Sequence, residues 1–305
     1  MKNPTLDGWL SWDFNNIPYS IRTSKNDTYN FHVNIKNLNK VKSYYKEIYD
    51  NARAMRDYFT GEFDVLLSGG IDSEIVVRTF KDLKIKHNTF IGRYKYNYNQ
   101  RDVNSAIDIC ECLNIPYKII DIDLKKFFEN DAYDIFKKSG CIKAGRLPHL
   151  KFFDYLDNIP VMGEGEAYWW REKGTDYSKK SEWVFPINES NHNCSMYLHS
   201  LGRENICDWY EFTPNLITSF NQLPIIQNLI NDNSYGKQSS WSSRLEIHRV
   251  LWPDIKDKVK LVGYEGKKYP GTYPNFIIEL QKTMESEIGP GTEYWYTFDN
   301  LNKIL

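Results

Sequence analysis

The sequence predicts an α/β fold in which a parallel sheet carries helices on both faces, followed by a mostly helical C-terminal portion. Short apolar runs at 63–67, 87–91 and 117–122 have the length and composition of buried strands. Apolar residues at helical spacing follow the first run from Ser73 and the second run at 102–113. Strands that alternate with helices in this way pair in parallel through right-handed crossovers.

The segments on either side of this region have different patterns. Residues 8–35 combine aromatic and β-branched residues with turn formers, which predicts a β-hairpin or meander, and 38–59 has helical spacing. Strand signals fade beyond residue 190. Helical patterns separated by prolines occur near 194–201, 214–232, 242–251 and 274–285. We predict an N-terminal segment 1–37, an α/β domain 38–190 and a helical portion 191–305 that shapes an acceptor site.

The bulk properties of the 305 residues exclude several classes of protein. A net charge of -1 argues against a protein that coats nucleic acid, although a local basic patch stays open. No run approaches the roughly 18 apolar residues that span a bilayer, and residues 1–5 lack the apolar core of a signal peptide. We expect a soluble cytoplasmic protein with no membrane partner.

The five cysteines do not form a recognisable framework. Their number is odd and no C-x-x-C pair occurs, so we expect free thiols in a reducing compartment. Cys110 and Cys112 lie in a predicted helix, where neighbours two positions apart point to different sides. Zinc binding at this pair is therefore disfavoured.

The loop Ser68-Gly69-Gly70-Ile71-Asp72-Ser73 has the chemistry of an anion site. It joins a buried strand to a helix at the carboxyl edge of the predicted sheet, where such folds bind ligands. The two glycines let the backbone approach a ligand, while the helix start and the hydroxyls of Ser68 and Ser73 favour negative charge. The carboxylate of Asp72 fits this site if it holds Mg²⁺ against phosphates.

The pattern S-G-G-x-D-S after a strand, with no G-x-x-x-x-G-K-[ST] motif in the chain, resembles the PP-loop of the N-type ATP pyrophosphatases. That superfamily includes asparagine synthetase, GMP synthetase, NAD synthetase and tRNA-modifying enzymes. The resemblance implies an adenine nucleotide alpha hydrolase-like, Rossmann-like fold, ATP and Mg²⁺ as cofactors, and release of AMP and pyrophosphate. A glycine-rich turn that binds nothing is the alternative.

A second motif, Gly163-Glu164-Gly165-Glu166, resembles the acidic loop of asparagine synthetase and follows a short predicted strand at 160–162. The resemblance implies that Glu164 and Glu166 share the metal with Asp72 and help to bind pyrophosphate. The family continues with an Asp-Glu pair, whereas Ala167 follows here. A surface turn with solvated glutamates is therefore the alternative.

Two departures from the family bear on the reaction. Lys2 stands where asparagine synthetase has its glutaminase cysteine, and few residues precede the loop. We therefore expect ammonia to come from solution or from a donating protein. The cysteine pairs of the thiolation enzymes and the cysteine cluster of deazapurine-nitrile synthases are also missing, which disfavours those reactions.

Other polar residues are weaker candidates. Lys143 and Arg146 follow the third strand and could neutralise the α-phosphate in the transition state, with a solvated loop as the alternative. Further basic candidates are His149, Lys151, Lys237, Lys258 and Lys260. The aromatic run 168–170 could stack on a planar substrate or anchor a domain contact. The histidines His192, His199 and His248 lack metal-ligand spacing, and we expect no special role for them.

Three functions remain open at this stage. The first is an AMP-forming amide ligase of the asparagine synthetase type, which adenylates a carboxylate or carbonyl of a small molecule before ammonia or an amine attacks. The second is an enzyme that modifies a nucleobase or nucleic acid, although the net charge of -1 does not indicate this partner. The third is a nucleotide-binding protein without catalysis.

Overall fold

A four-stranded parallel sheet forms the centre of the computed structural model, which describes residues 1–34, 40–164, 168–170, 182–185, 189, 192–231, 240–257, 273–291 and 296–297. The first half contains β1 (Leu10–Phe14), β2 (Ile17–Pro18), β3 (Tyr29–Val33), α1 (Tyr44–Tyr58), β4 (Phe63–Leu66), α2 (Ile71–Asp82), β5 (His87–Tyr94), α3 (Gln100–Leu113), β6 (Tyr117–Ile122), α4 (Leu124–Asn130), α5 (Ala132–Ser139) and α6 (Leu147–Lys151). The second half contains β7 (Ile159–Val161), β8 (Tyr168–Trp170), β9 (Glu182–Phe185), α7 (Asn193–Ser200), α8 (Pro214–Asn221), α9 (Pro224–Asn231), α10 (Ser240–Arg249), α11 (Tyr273–Ile288) and β10 (Tyr296–Thr297).

The strand order of the central sheet is β6-β5-β4-β7, and every pairing is parallel. Strands β4, β5 and β6 lie side by side in chain order, whereas β7 returns to the other side of β4. The order therefore reverses between β4 and β7. Open α/β sheets bind ligands at this reversal, outside the carboxyl ends of the strands.

Helices cover both faces of this sheet, as alternate residues of β5 show. Ile91 packs in a buried cluster with Val103 and Ala106 of α3. Its neighbour Phe90 belongs to a different cluster, which contains Leu147 of α6. Adjacent strand residues point to opposite faces, so helices lie on each side. The prediction of an α/β fold with a parallel sheet is confirmed.

The N-terminal segment forms a separate antiparallel sheet of order β2-β1-β3. Its register places Trp12 directly opposite Phe31. Both side chains turn toward the rest of the protein, because their rings lie parallel to the imidazole of His192. This small sheet therefore packs against the start of α7.

Several elements differ from the sequence prediction. Helix α2 begins at Ile71 rather than Ser73, and the region 214–232 divides into α8 and α9 because Pro224 cannot continue a helix. Helices α4 to α6 fill a region to which the sequence patterns assigned nothing. Beyond residue 190, where strand signals fade in the sequence, the structure adds the two-residue strand β10, which pairs with β9 in the sheet β10-β9-β8. A two-residue strand that pairs with a segment far away in the sequence leaves no periodic pattern of apolar residues. The division at 37 and 190 stays a prediction.

No helix in the described part of the chain has both the length and the apolarity needed to cross a lipid bilayer.

A buried carboxylate in β4 fixes where β7 begins. Asp64 is fully buried and accepts hydrogen bonds from the backbone amides of Asp157 and Asn158, at 3.1 and 2.9 Å. It also accepts bonds from the side-chain amides of Asn158 and Asn88, at 2.9 and 2.8 Å. Four donors converge on one carboxylate, so Asp64 holds the turn before β7 against β4.

Replacing Asp64 with alanine should lower the free energy of unfolding by about 3 kcal/mol, because buried donors lose their acceptor. Urea denaturation measures the change. Asp157→Ala on the same turn is the matched control, since that side chain is exposed, and should change the free energy by less than about 0.5 kcal/mol. Equal effects of the two substitutions would contradict this role of Asp64.

Candidate functional site

The loop between β4 and α2 is braced by its own serines. The backbone amide of Ser68 donates to the hydroxyl oxygen of Ser73 at 3.1 Å, and the two hydroxyls lie 3.0 Å apart. The Ser73 hydroxyl also lies 3.2 Å from the carbonyl oxygen of Gly70 and donates to it. The serines predicted as anion donors thus hold the shape of the loop. The N-cap residue of α2 is Gly70, which has no side chain to cap the first turn.

Gly69 is required by the close approach of α3. Its φ is +81°, a conformation that residues with a side chain rarely adopt. A Cβ at this position would lie 2.4 Å from the carbonyl oxygen of Asp102 and 2.9 Å from the amide of Ala106. The hydroxyl of Ser105 donates to the Gly69 carbonyl at 2.8 Å. Helix α3 therefore supports the loop from behind.

Gly163 brings the second predicted loop into contact with the first. A Cβ on Gly163 would lie 2.6 Å from the carbonyl carbon and oxygen of Asp72 and 2.7 Å from the amide of Ser73. All three atoms belong to the backbone, so they cannot rotate away. The acidic loop after β7 thus rests on the first turn of α2.

A cavity of about 250 Å³ opens at the ends of β4, β5 and β7. Its polar lining includes Ser68, Ser73, Asp72, Asp102 and Glu164. A slightly larger cavity of about 280 Å³ lies between α2, α3 and the segment 254–257. The first cavity is the better candidate site, because it lies where the strand order reverses.

Asp72 has a partner that the sequence did not reveal. Arg244 of α10 forms an ion pair with the Asp72 carboxylate, and only 10% of the Arg244 side chain is exposed. The hydroxyl of Tyr210 donates to the Asp72 carbonyl oxygen at 3.4 Å. The Arg244 guanidinium and the Asp72 carboxylate are therefore adjacent at the N-terminal end of α2.

Glu164 lies in the cavity wall among several charges. Burial raises the pKa of Glu164 to about 7, Arg146 opposes this shift, and the nearby carboxylates Asp208 and Asp72 add to it. One Arg146 nitrogen lies 3.9 Å from Glu164 Oε2. The Glu164 side chain is 35% exposed, and it lines the cavity.

The structure brings some of the predicted site residues together. Ser68, Asp72 and Ser73 of the loop line one cavity with Glu164, whereas Gly69, Gly70 and Ile71 are not in its lining. Arg146 reaches Glu164 without lining the cavity itself. Lys143 is exposed and is not among the described residues that line the cavity. Glu166, Lys237, Lys258 and Lys260 lie outside the described residues, as do the side chains of 168–170. The roles of all these residues stay predictions.

A buried cluster behind Glu164 was missed by the sequence analysis. The segment after Asn205 extends the sheet beside β7, with Val161 bridging to Ile206 and Gly163 to Asp208. This pairing places Asp208 and Glu211 next to His192, which the spacing of histidines had led us to consider unimportant. Spacing along the chain does not reveal this cluster, because backbone pairing between distant segments forms it.

The charges in this cluster are strongly coupled. Burial lowers the pKa of His192, but Asp208 and Glu211 outweigh burial and raise it to about 9. Burial raises the pKa of Asp208, while His192 opposes the shift. The hydroxyl of Ser195 donates to Asp208 Oδ2 at 2.8 Å. An imidazole ring and two carboxylates thus share a buried volume.

The fold and the site together define an α/β protein with a glycine-rich loop and two carboxylates at the reversal point of a parallel sheet. No family model matches the sequence. Over 104 residues the chain is 32% identical to the 7-cyano-7-deazaguanine synthase of Methanocaldococcus jannaschii, which covers 34% of this chain. The match spans only 41% of that relative.

Three solved structures resemble the chain at low identity. The NMN synthetase from Francisella tularensis is 15% identical with a TM-score of 0.31, and covers 80% of this chain and 93% of its own. The NH3-dependent NAD synthetase from Campylobacter jejuni, in complex with nitrate, is 18% identical with a TM-score of 0.32. The alignment covers 80% of this chain and 92% of that chain. A predicted tRNA methyltransferase subunit from Methanocaldococcus jannaschii is 14% identical with a TM-score of 0.31. The alignment covers 68% of this chain and 98% of that chain.

Replacing Gly163 with alanine should displace the first turn of α2 and lower the free energy of unfolding by about 1–3 kcal/mol, because the added methyl group meets backbone. Urea denaturation and the NMR amide shifts of residues 71–73 measure both effects. Gly61→Ala is the matched control, since its methyl group would meet only the side chain of Ile159, at 2.9 Å. Unchanged amide shifts in Gly163→Ala would refute the contact.

Replacing Arg146 with methionine should raise the pKa of Glu164 further above 7, since the guanidinium favours the ionised carboxylate. Carbon-13 NMR of labelled glutamate carboxyls in metal-free buffer follows the titration, with Arg93→Met at an exposed ion pair as control.

A raised folded-state pKa also means that protonated Glu164 adds stability below pH 4.5, and that this stability is lost as the pH rises to about 7. A pKa near 4.5 in the wild type would contradict both expectations.

Proposed function

We propose that the chain is an ATP-dependent ligase that forms AMP and pyrophosphate, with the loop 68–73 as its pyrophosphate site. The observation that carries the proposal is the contact of Gly163 with the Asp72–Ser73 peptide at the sheet reversal. It supports a site built from two loops, one with an uncapped helix start and one with a carboxylate. Helix starts of this kind bind phosphate through backbone amides and the helix dipole.

The residues of the site fit a magnesium ion bound with the nucleotide. Asp72 and Glu164 are carboxylates that line the same cavity and repel each other, and Mg²⁺ prefers oxygen ligands. Glu166 is the further predicted ligand. When bound, the ion would neutralise charge on the phosphates. Arg244 forms an ion pair with Asp72, and its guanidinium can bind a phosphate oxygen beside that carboxylate.

The reaction that this arrangement favours proceeds in two displacements. A carboxylate or carbonyl oxygen of the acceptor attacks the α-phosphorus of ATP, and pyrophosphate leaves with its charge on the loop amides. Ammonia or an amine then attacks the adenylated carbon, loses a proton, and AMP leaves. Arg146 lies beside Glu164 and is positioned to offset negative charge near the second loop.

Two acceptor classes follow from different observations. The acidic loop after β7 and the sequence resemblance to asparagine synthetase favour a small carboxylate acceptor. The similarity to a 7-cyano-7-deazaguanine synthase over 104 residues favours a purine-like acceptor instead. The absence of any C-x-x-C pair opposes the second class, because deazapurine-nitrile synthases carry a cysteine cluster.

Replacing Asp72 with asparagine should reduce AMP formation by about 100-fold or more, because charge stabilisation at the departing pyrophosphate is lost. ATP labelled at the α-phosphate, with chromatography of AMP and ADP, measures the product in the presence of ammonium. Acidic amino acids, purine-like carboxylates and nucleic acid are supplied as acceptors in separate reactions. The reaction that stimulates AMP release identifies the acceptor class.

Asp108→Asn is the matched control, because Asp108 is an exposed carboxylate that lines the other cavity. Its AMP formation should equal that of the wild type. Cleavage to ADP rather than AMP, or full activity in Asp72→Asn, would refute the proposed reaction. Binding of ATP without any AMP would instead indicate a nucleotide-binding protein.

A further inference from the structure

Three buried side chains from separate parts of the chain offer ligand atoms that all lie within 4.8 Å of one another. They are His192 just before α7, and Asp208 and Glu211 on the segment beside β7. All three side chains are at least nine-tenths buried. Imidazole and carboxylate groups are common ligands of divalent metal ions in proteins.

Two carboxylate oxygens in this cluster lack a donor among the described residues. Asp208 Oδ1 and Glu211 Oε1 are both shielded from solvent and accept no hydrogen bond there. Their companion oxygens are engaged, Asp208 Oδ2 with Ser195 and Glu211 Oε2 with His192. A buried acceptor without a partner costs about 1–3 kcal/mol, and more when it is charged. A bound cation would satisfy both oxygens.

The imidazole ring is held in one orientation before any ligand arrives. Its plane is nearly parallel to the rings of Trp12 and Phe31, which deviate from it by 4° and 5°. The hydroxyl of Tyr29 lies 3.4 Å from His192 Nδ1, so that this nitrogen can donate to it while Nε2 faces Glu211. Ligating histidines are typically fixed through their second nitrogen in this way.

One pair of ligand atoms already has the spacing of neighbouring ligands on a metal ion. His192 Nε2 and Glu211 Oε2 are 3.0 Å apart. Two ligands at right angles, each on a bond of about 2.1 Å, lie about 3.0 Å apart. The same distance also suits a hydrogen bond between an imidazolium and a carboxylate. The two carboxylate oxygens without donors favour the metal.

We propose that His192, Asp208 and Glu211 bind one divalent transition-metal ion, of the Zn²⁺ or Mn²⁺ class, at a site distinct from the magnesium proposed for ATP. One imidazole with two carboxylates favours such ions over Mg²⁺, which prefers oxygen ligands alone. The ion fastens the segment 208–211 to the start of α7. Because Gly163 pairs with Asp208, the ion also holds the acidic loop in place.

Metal analysis of the full chain without nucleotide tests this proposal. The protein is stripped with a chelator, incubated with Zn²⁺, Mn²⁺ or Co²⁺ in buffer containing excess Mg²⁺, and desalted. We expect about one equivalent of transition metal per chain, and Co²⁺ should give visible absorption bands of a nitrogen- and oxygen-ligated ion. Addition of the metal should also raise the melting temperature of the stripped protein.

His192→Gln should weaken Co²⁺ binding by at least about 100-fold, since it removes a direct ligand. His199→Gln, in the helix that begins just after His192, is the matched control, because His199 contacts Trp12 and Tyr19 but lies outside the cluster. Asp208→Asn provides a second variant should His192→Gln fail to fold. It keeps the shape of the side chain and should also weaken Co²⁺ binding.

Two results would overturn the site. The first is less than about one tenth of an equivalent of transition metal in the wild type, with no change in melting temperature, which would indicate an imidazolium that pairs with the two carboxylates. The second is unchanged metal binding in both His192→Gln and Asp208→Asn. Neither result depends on ATP cleavage, so this test is separate from the test of the proposed reaction.

Discussion

The contact between two backbones at the reversal of the sheet is the constraint on which the site depends. Gly163 after β7 approaches the Asp72–Ser73 peptide so closely that any Cβ would collide with it. The contact exists because β7 pairs with β4, and Asp64 fixes the turn from which β7 begins. Gly69 approaches α3 with similar tightness on the other side. The head of α2 is thus held between two backbone surfaces.

Charge is concentrated around this contact in opposite pairs. Asp72 lies against Arg244, Glu164 faces Arg146, and the carboxylates of Asp208 and Glu211 enclose His192. Carboxylates that are partly or fully withdrawn from water are costly when isolated, and each of these has a cationic neighbour. The balance is incomplete at Glu164, since burial raises its pKa to about 7. Carboxylates whose negative charge is incompletely neutralised by their neighbours are suited to bind cations.

The two proposed cation sites would have different roles. The first, at Asp72 and Glu164, opens into the cavity and would bind its ion together with a phosphate ligand. The second, at His192, Asp208 and Glu211, is buried and lies against aromatic rings of the N-terminal sheet. An ion there would stabilise the fold. His192 would thereby be one of the links between the N-terminal sheet and the candidate active site.

The sequence by itself determined the features that are contiguous in the chain. Six neighbouring residues defined the loop, and the alternation of strands and helices defined the sheet, because hydrophobic periodicity is a local property. Only the tertiary structure placed Arg244 on Asp72, 172 positions away, and Asp208 beside Gly163. These neighbours depend on which strand edges pair and how helices pack over them. Such long-range choices leave no periodic signal in the residues that they bring together.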